Sequence, residues 1–207
     1  MLTVALPKGR LGEKVYSILH KAGYTCDEMS SDTRKLVLEN KEVGIRYLLV
    51  KPTDVPVYVE RGAADVGIAG KDVLVETGAN VYELMDLGFG KCRMAVAAKK
   101  DYVENRDRTL RVATKFVNIA TSHFAKQGRA IDIIQLHGSI ELAPIVGLSD
   151  VIVDIVESGS TLRENNLVVI EEFMPISARF FANISSYKFK EDEIEKMLLC
   201  LKEAIND

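Results

Sequence analysis

The sequence predicts an α/β protein, and three observations carry that reading. Short apolar runs alternate with helix-period segments along the whole chain. The run Val151–Val156 is almost entirely β-branched, as a strand covered on both faces should be. The C-terminal segment sets Ile194, Leu198, Leu201 and Ile205 on one helical face. The repeated β-α-β order predicts mostly parallel sheets, and about ten strands, more than one small sheet normally holds, predict two α/β lobes.

Taken in order, Leu2–Leu6 is an apolar strand stopped by Pro7. Leu11, Val15, Ile18, Leu19 and Ala22 then form one helix face, with Gly23 as its stop. Val43–Val50 reads as a strand broken by Lys51-Pro-Thr. Asp54 is placed to cap a short helix with Pro56 in its first turn and Gly62 after it. Asp65–Ala69 is a buried strand, Gly70-Lys-Asp72 leads into a helix, and Glu83–Leu87 and Arg93–Ala98 are strands. The polar stretch Lys99–Arg108 reads as a loop at the edge of the second lobe. Arg111–Thr114, Ile131–Leu136 and Val151–Val156 follow as strands, with a helix over Val117–Gln127 and a short one from Ser139. Leu167–Phe173 and Ala178–Ile184 are the last strands, and Lys188 to Asp192 is the polar entry to the final helix.

Composition narrows the class. A hydrophobic content of 47% excludes disorder. Twenty-seven basic against 30 acidic side chains, with no aromatic-interleaved basic patch, argue against a nucleic-acid binder. No apolar run approaches the ~20 residues that span a membrane, and the N-terminus lacks the order of a signal peptide. Cys26, Cys92 and Cys200 are scattered and odd in number, which fits reduced thiols in the cytoplasm. His20, His123 and His137 show no ligand spacing, and Walker A, Gly-x-Gly-x-x-Gly, nucleophile-elbow and zinc patterns are all missing.

Ligands of open α/β sheets sit beyond the carboxyl ends of strands, so the strand-to-helix loops hold the chemistry. The most specific is Ser158-Gly-Ser-Thr161, which follows the strand Val151–Val156 and opens a helix at Leu162. Successive backbone N–H groups there make an anion cradle, Gly159 lets a phosphate approach, and three hydroxyls add donors. Asp154 and Glu157 just upstream would repel a phosphate but accept hydrogen bonds from ribose hydroxyls. A ribose 5-phosphate group fits that pattern; taken alone, the same residues also describe an ordinary capped helix. Pro7-Lys-Gly-Arg10 sets two cations and a glycine at a helix N-terminus, against the dipole preference, and an anionic ligand resolves the conflict. Gly70-Lys-Asp72 repeats the chemistry more weakly, and Glu141 in Gly138-Ser-Ile-Glu141 faces either solvent or a sugar. Arg34, Lys51, Lys91, Arg93 and Lys115 are further cations near strand ends, each more readily a solvated charge than a ligand.

Several segments together resemble one family. Leu6-Pro-Lys-Gly-Arg10, Asp54-Val-Pro-Val-Tyr-Val-Glu60, Ala64-Asp-Val-Gly-Ile-Ala-Gly-Lys-Asp72, Arg111-Val-Ala-Thr-Lys115, Gly138-Ser-Ile-Glu-Leu-Ala-Pro144, Asp150–Leu162 and Glu164-Asn-Asn-Leu167 have the order and spacing of ATP phosphoribosyltransferase. The length resembles the short form, which lacks the long form's C-terminal regulatory domain. The resemblance implies transfer of the phosphoribosyl group of phosphoribosyl pyrophosphate (PRPP) to N1 of ATP's adenine. Pyrophosphate is released, as the first step of histidine biosynthesis. It implies a fold like the type II periplasmic binding proteins, with the ligand cleft between the lobes. Lobe I would then be 1–90 plus 178–207, and lobe II, 91–177, would carry the phosphate loop.

Site roles follow from the same resemblance. Glu157, Ser158, Gly159, Ser160 and Thr161 are expected at the PRPP 5-phosphate, with Asp154 and Glu141 on ribose hydroxyls. Lys8, Gly9 and Arg10 with Gly70, Lys71 and Asp72 are expected at ATP or pyrophosphate. Arg34 and Lys51 join Lys8 and Arg10 as the cations acting on the leaving group; some relatives carry arginine at Lys51, whose bidentate contact lysine does not reproduce. Mg²⁺ is expected on the substrate rather than in a protein cage. A regulatory subunit resembling a histidyl-tRNA synthetase, a homodimer of catalytic chains and a cytoplasmic location complete the expectation. Two other readings share parts of it: a non-catalytic two-lobed binding module, and a salvage phosphoribosyltransferase acting on a free base. The first has no need of a ribose-phosphate loop. The second often shows two adjacent acidic residues where this chain has Asp154-Ile-Val-Glu157.

Overall fold

All six residues of the first strand, β1 (Leu2–Pro7), are buried, as a central strand of a sheet covered on both faces requires. The computed structural model describes residues 1–29 and 33–206. After β1 come α1 (Arg10–Lys21), β2 (Val37–Asn40), β3 (Ile45–Val50), a 3-10 turn (Pro52–Asp54), α2 (Val55–Glu60), β4 (Val66–Gly70), α3 (Lys71–Thr77) and β5 (Tyr82–Asp86). The next stretch holds β6 (Cys92–Lys99), β7 (Leu110–Thr114), α4 (Val117–Lys126), β8 (Ile131–Gln135), α5 (Leu142–Ile145), β9 (Val151–Val156), α6 (Ser160–Glu164) and β10 (Leu167–Ile176). The chain closes with β11 (Ala178–Ala182), α7 (Ile184–Phe189) and α8 (Glu191–Asn206).

Two units result: Met1–Gly90 with Ser177–Asp207, and Lys91–Ile176. The first is built on a sheet of order β2-β3-β1-β4-β11-β5, the second on one of order β10-β6-β9-β7-β8. The sheets are mixed rather than mostly parallel. Parallel pairing joins β1 to β3 and β4, and β7 to β8 and β9, while β2, β5, β6, β10 and β11 pair antiparallel. The β-α-β order that predicts parallel pairs is broken where β2 and β3, β5 to β7, and β10 and β11 follow one another with no crossover helix between them. Two elements also differ from expectation. Strand β2 pairs antiparallel with β3 and was not foreseen, and Asn183 ends β11 early by opening α7. Asp54 makes no side-chain cap.

Side-chain alternation sorts each sheet's faces. In the first unit Leu2, Val4 and Leu6 of β1 pack with Val15 and Leu19 of α1 and Ile194, Met197, Leu198 and Leu201 of α8. Ala5 faces the other way, toward Val55 and Val59 of α2 and Leu74 of α3. Each large aliphatic side chain buried this way contributes about 1.5–3 kcal/mol. Helix α1 lies so close to β1 that a Cβ on Gly12 would fall 1.7 Å from the Pro7 carbonyl oxygen. Only glycine fits there. In the second unit Met94, Val96, Val112, Val151 and Val153 meet Ile119, Ala120 and Phe124 of α4. The opposite face is lined by Ala95, Ala97, Ala113 and Ile152 with Ala143 and Leu162.

The two ends of the chain meet at Asp65. Its carboxylate accepts from the Thr3 N–H at 2.8 Å, the Ser186 hydroxyl at 2.7 Å and the Lys190 ammonium at 2.7 Å. Asn183 caps α7, accepting from the Ser185 and Ser186 N–H groups, and donates to the Val59 carbonyl at 2.8 Å. Burial alone would raise the Asp65 pKa, but Lys190 and the Thr3 and Ser186 donors outweigh it and hold the carboxyl below its ordinary range. A depressed folded-state pKa adds stability above the unfolded value and loses it as pH falls through the folded one. Asp65→Asn should therefore lower unfolding free energy at pH 7 by about 1.5–3 kcal/mol in denaturant titration. That deficit should shrink below about pH 4, where the wild-type carboxyl also protonates.

Candidate active site

Strand order reverses direction at two places, and each marks a crevice at the carboxyl ends of parallel strands. In the second unit the reversal lies at β7, flanked by β8 and β9. Strand β7 ends in Thr114-Lys115 and β9 in Val156 to Thr161. A cavity of about 310 Å³ opens there, lined by Glu141, Asp154 and Glu157 to Leu162, with Ala95, Ala97 and Ile152 as its floor.

The cavity follows from the strand pattern. Asp154 lies on the same face of β9 as Ile152, and Ala95 of β6 sits directly opposite it in the ladder. Small side chains at Ala95 and Ala97 leave space where Met94 and Val96 fill the other face. Neither alanine is among the site residues the sequence predicts. The large-small alternation Met94-Ala-Val-Ala97 was the available signal.

Beyond β9 the backbone turns through Gly159, whose φ of 71° is the left-handed conformation that glycine adopts without strain. Ser158 and Ser160 hydroxyls lie 3.0 Å apart, and the Ser160 N–H donates to Ser158 Oγ at 3.3 Å. Thr161 is exposed in the first turn of α6. The structure thus gathers seven of the expected residues, Glu141, Asp154, Glu157, Ser158, Gly159, Ser160 and Thr161, around one cavity.

Asp154 is electrostatically set apart. Burial pushes its carboxyl above the usual range, and the nearby Glu141 charge adds to that. The opposing pull comes from Lys115, whose Nζ lies 3.7 Å from Asp154 Oδ1, and from the Ile155 N–H, which donates to Oδ1 at 2.8 Å. Lys115, expected as a solvated cation, is the counterion of this carboxylate. Arg93, also expected at the surface, donates to the carbonyls of Val156 and Glu157 and pairs with Glu172.

In the first unit the reversal lies at β1, between β3 and β4. Lys8 and Lys51 directly follow the paired ends Pro7 and Val50, and the Lys8 N–H donates to the Val50 carbonyl at 2.8 Å. Lys8, Gly9, Arg10 and Lys51 are all exposed, Gly9 has φ 93°, and Arg34 is exposed in the segment before β2. Lys8 and Gly9 border a second cavity of about 320 Å³ with Leu6, Tyr16, Met29 and Leu49. The Gly70–Asp72 turn ends β4, on the other side of β1. Its side chains are engaged within the unit. Lys71 pairs with Glu83, and Asp72 is buried with its carboxylate over Gly70, where a Cβ would meet Oδ1 at 2.2 Å.

Among the described residues no group of three or more His, Cys, Asp or Glu is placed to hold a metal ion, and no helix is long and apolar enough to cross a membrane.

Comparison with known proteins fits this layout. The family model described as ATP phosphoribosyltransferase matches residues 51–203. An ATP phosphoribosyltransferase of Brachyspira hyodysenteriae is 56% identical, covering 99% of this chain and 100% of that protein. One from Clostridioides difficile is 50% identical over 99% of each. The chain also superposes, with a TM-score of 0.89 and 39% identity, on the ATP phosphoribosyl transferase (HisG:HisZ) complex from Thermotoga maritima, over 100% of this chain and 99% of that one. The substrate binding protein of an amino acid ABC transporter shares the fold alone, at a TM-score of 0.58 and 13% identity, over 99% and 91% of the two chains. The chain belongs to the ATP phosphoribosyltransferase family.

Proposed function

We infer that this chain transfers the phosphoribosyl group of PRPP to N1 of ATP, giving N1-(5-phospho-β-D-ribosyl)-ATP and pyrophosphate in the first step of histidine biosynthesis. One observation carries the reading beyond family membership. A turn rich in N–H and hydroxyl donors and a desolvated carboxylate face the same cavity at the end of β9. That pair matches a phosphate joined to a sugar: donors for the anion, a carboxylate for the hydroxyls.

In this reading Ser158, Gly159, Ser160 and Thr161 hold the 5-phosphate, and Asp154, with Glu141 and Glu157 beside it, accepts from the ribose hydroxyls. Adenine N1 attacks C1 of the ribose through a lone pair, so no general base must first remove a proton. As the C1–O bond breaks, positive charge grows on the ribose and negative charge on pyrophosphate. Catalysis then consists of holding two substrates in line and stabilising the leaving group. Lys8, Arg10, Arg34 and Lys51 are the cations assigned to the polyphosphate groups, and the backbone at Gly9 and Gly70–Asp72 to ATP. With Lys71 and Asp72 engaged inside their unit, the exposed cations Lys8, Arg10 and Lys51 carry most of that assignment. PRPP enters as its Mg²⁺ complex, the ion screening the pyrophosphate oxygens as part of the substrate. The catalytic chain works in the cytoplasm as a homodimer, with a regulatory subunit resembling a histidyl-tRNA synthetase. The similar Thermotoga maritima complex supports the second partner.

The direct test mixes the chain with ATP, PRPP and Mg²⁺, with and without the regulatory subunit, and follows N1-ribosylated ATP. Product from ATP and none from adenine or hypoxanthine is the expected result; no product in either mixture rejects the reading. Thr161→Val should raise the KM for PRPP about 10- to 100-fold with the fold intact, the loss of one hydrogen bond to a charged group. Asp154→Asn should behave oppositely toward stability and binding. A carboxyl whose folded pKa is raised stabilises the fold only while protonated, and that contribution is lost as pH rises. The amide should therefore raise the melting temperature at pH 7, with the gain vanishing below the ordinary carboxylate range near pH ~4, while PRPP affinity falls.

A further inference from the structure

Two arginines hold three consecutive carbonyls of the turn between β9 and α6. Arg93 Nη1 donates to the Val156 carbonyl at 3.4 Å and the Glu157 carbonyl at 3.0 Å. Arg163 Nη1 donates to the Ser158 carbonyl at 2.9 Å. Arg93 is itself fixed by Glu172 of β10, with Nε 2.5 Å from Oε1. The Arg163 guanidinium lies 3.3 Å from where a Cβ of residue 159 would stand, so it closes over the side of the turn that glycine leaves open.

In a trans peptide the C=O of one residue and the N–H of the next point in opposite directions. Anchoring the Glu157 and Ser158 oxygens on guanidinium groups therefore turns the N–H groups of Ser158 and Gly159 to the other side. Neither N–H has an acceptor among the described residues. A guanidinium on the oxygen of a peptide also polarises it, making its N–H a stronger donor. Asp154 and Glu157 line the same cavity as the turn, and guanidinium groups on its carbonyls offset their charge while leaving its N–H donors free.

We propose that Arg93 and Arg163 are positioning residues for the 5-phosphate of PRPP. They act through the backbone of the turn, fixing and polarising its N–H groups without touching the phosphate. The proposal rests on the reading of this turn as the 5-phosphate site.

The test is calorimetric titration of the full chain with ribose 5-phosphate, with ATP as a control ligand, in wild type, Arg93→Met, Arg163→Met, Arg93→Lys and the double methionine variant. Each single methionine variant should lose affinity for ribose 5-phosphate about tenfold, and the double variant more, with ATP affinity held. Arg93→Lys, which can reach one carbonyl, should fall between wild type and Arg93→Met and serves where the methionine variant fails to fold. In steady-state assays the KM for PRPP should rise at least tenfold more than the KM for ATP, a split that general loosening of the sheet would not produce. Folded variants that bind ribose 5-phosphate as wild type does overturn the positioning role while leaving the phosphate site standing. A wild-type chain that does not bind ribose 5-phosphate overturns the phosphate site, and this role with it.

Discussion

The second unit is organised around one cost: a carboxylate on an otherwise apolar strand face. Strand β9 is buried among β6 and β7, and five of its six side chains are aliphatic. The sixth, Asp154, has its carboxyl pushed above the usual range by burial, and the fold answers with Lys115 at the end of β7 and with alanines opposite on β6. The alanines give the carboxylate room and make the cavity. Lys115 supplies the opposing charge from the same crevice. A site built for a ligand shows this pattern, because a core residue would have removed the conflict by becoming apolar.

The first unit faces a different constraint, since it is assembled from both ends of the chain. Strand β11 inserts between β4 and β5, and α8 covers the face that α1 also covers. Apolar burial supplies most of the stabilisation, but it does not dictate where the returning segment stops and turns. The Asp65 and Asn183 hydrogen bonds do, because each joins residues about 120 positions apart in sequence through directional donors. With that seam in place, β1 sits at the centre of the sheet and brings Lys8 to its carboxyl end beside Lys51.

Much of this was legible in the residues, for reasons that can be named. The bounds of Val151–Val156 are legible because five β-branched residues, interrupted only by Asp154, precede a small-residue turn. The helix faces of α1 and α8 follow from their apolar spacing. Strand β2 was not legible: it is four residues long with only Leu38 buried, too little alternation to register. Helix α7 was hidden because Asn183-Ile184 continued an apolar run, although the asparagine followed by serines is a capping signal. Sheet direction departs from the parallel expectation because the β-α-β alternation is interrupted at β2–β3, β5–β7 and β10–β11, where strands follow one another without a crossover helix. At the site, the residues around the cavity lie on consecutive stretches of chain and could be grouped by eye. The contributions of Ala95, Lys115 and Arg93 depend on which strands become neighbours, information that no local segment contains.

The central claim is that the turn after β9 is where the sugar phosphate binds. Amide hydrogen exchange, resolved residue by residue by NMR on the full chain, reports on it without requiring turnover. Saturating PRPP with Mg²⁺ should slow exchange at the amides of Ser158, Gly159, Ser160 and Thr161, because the phosphate oxygens accept from them, at Ser160 in place of the long 3.3 Å bond to Ser158 Oγ. Exchange at those four amides left unchanged by saturating PRPP would contradict the account.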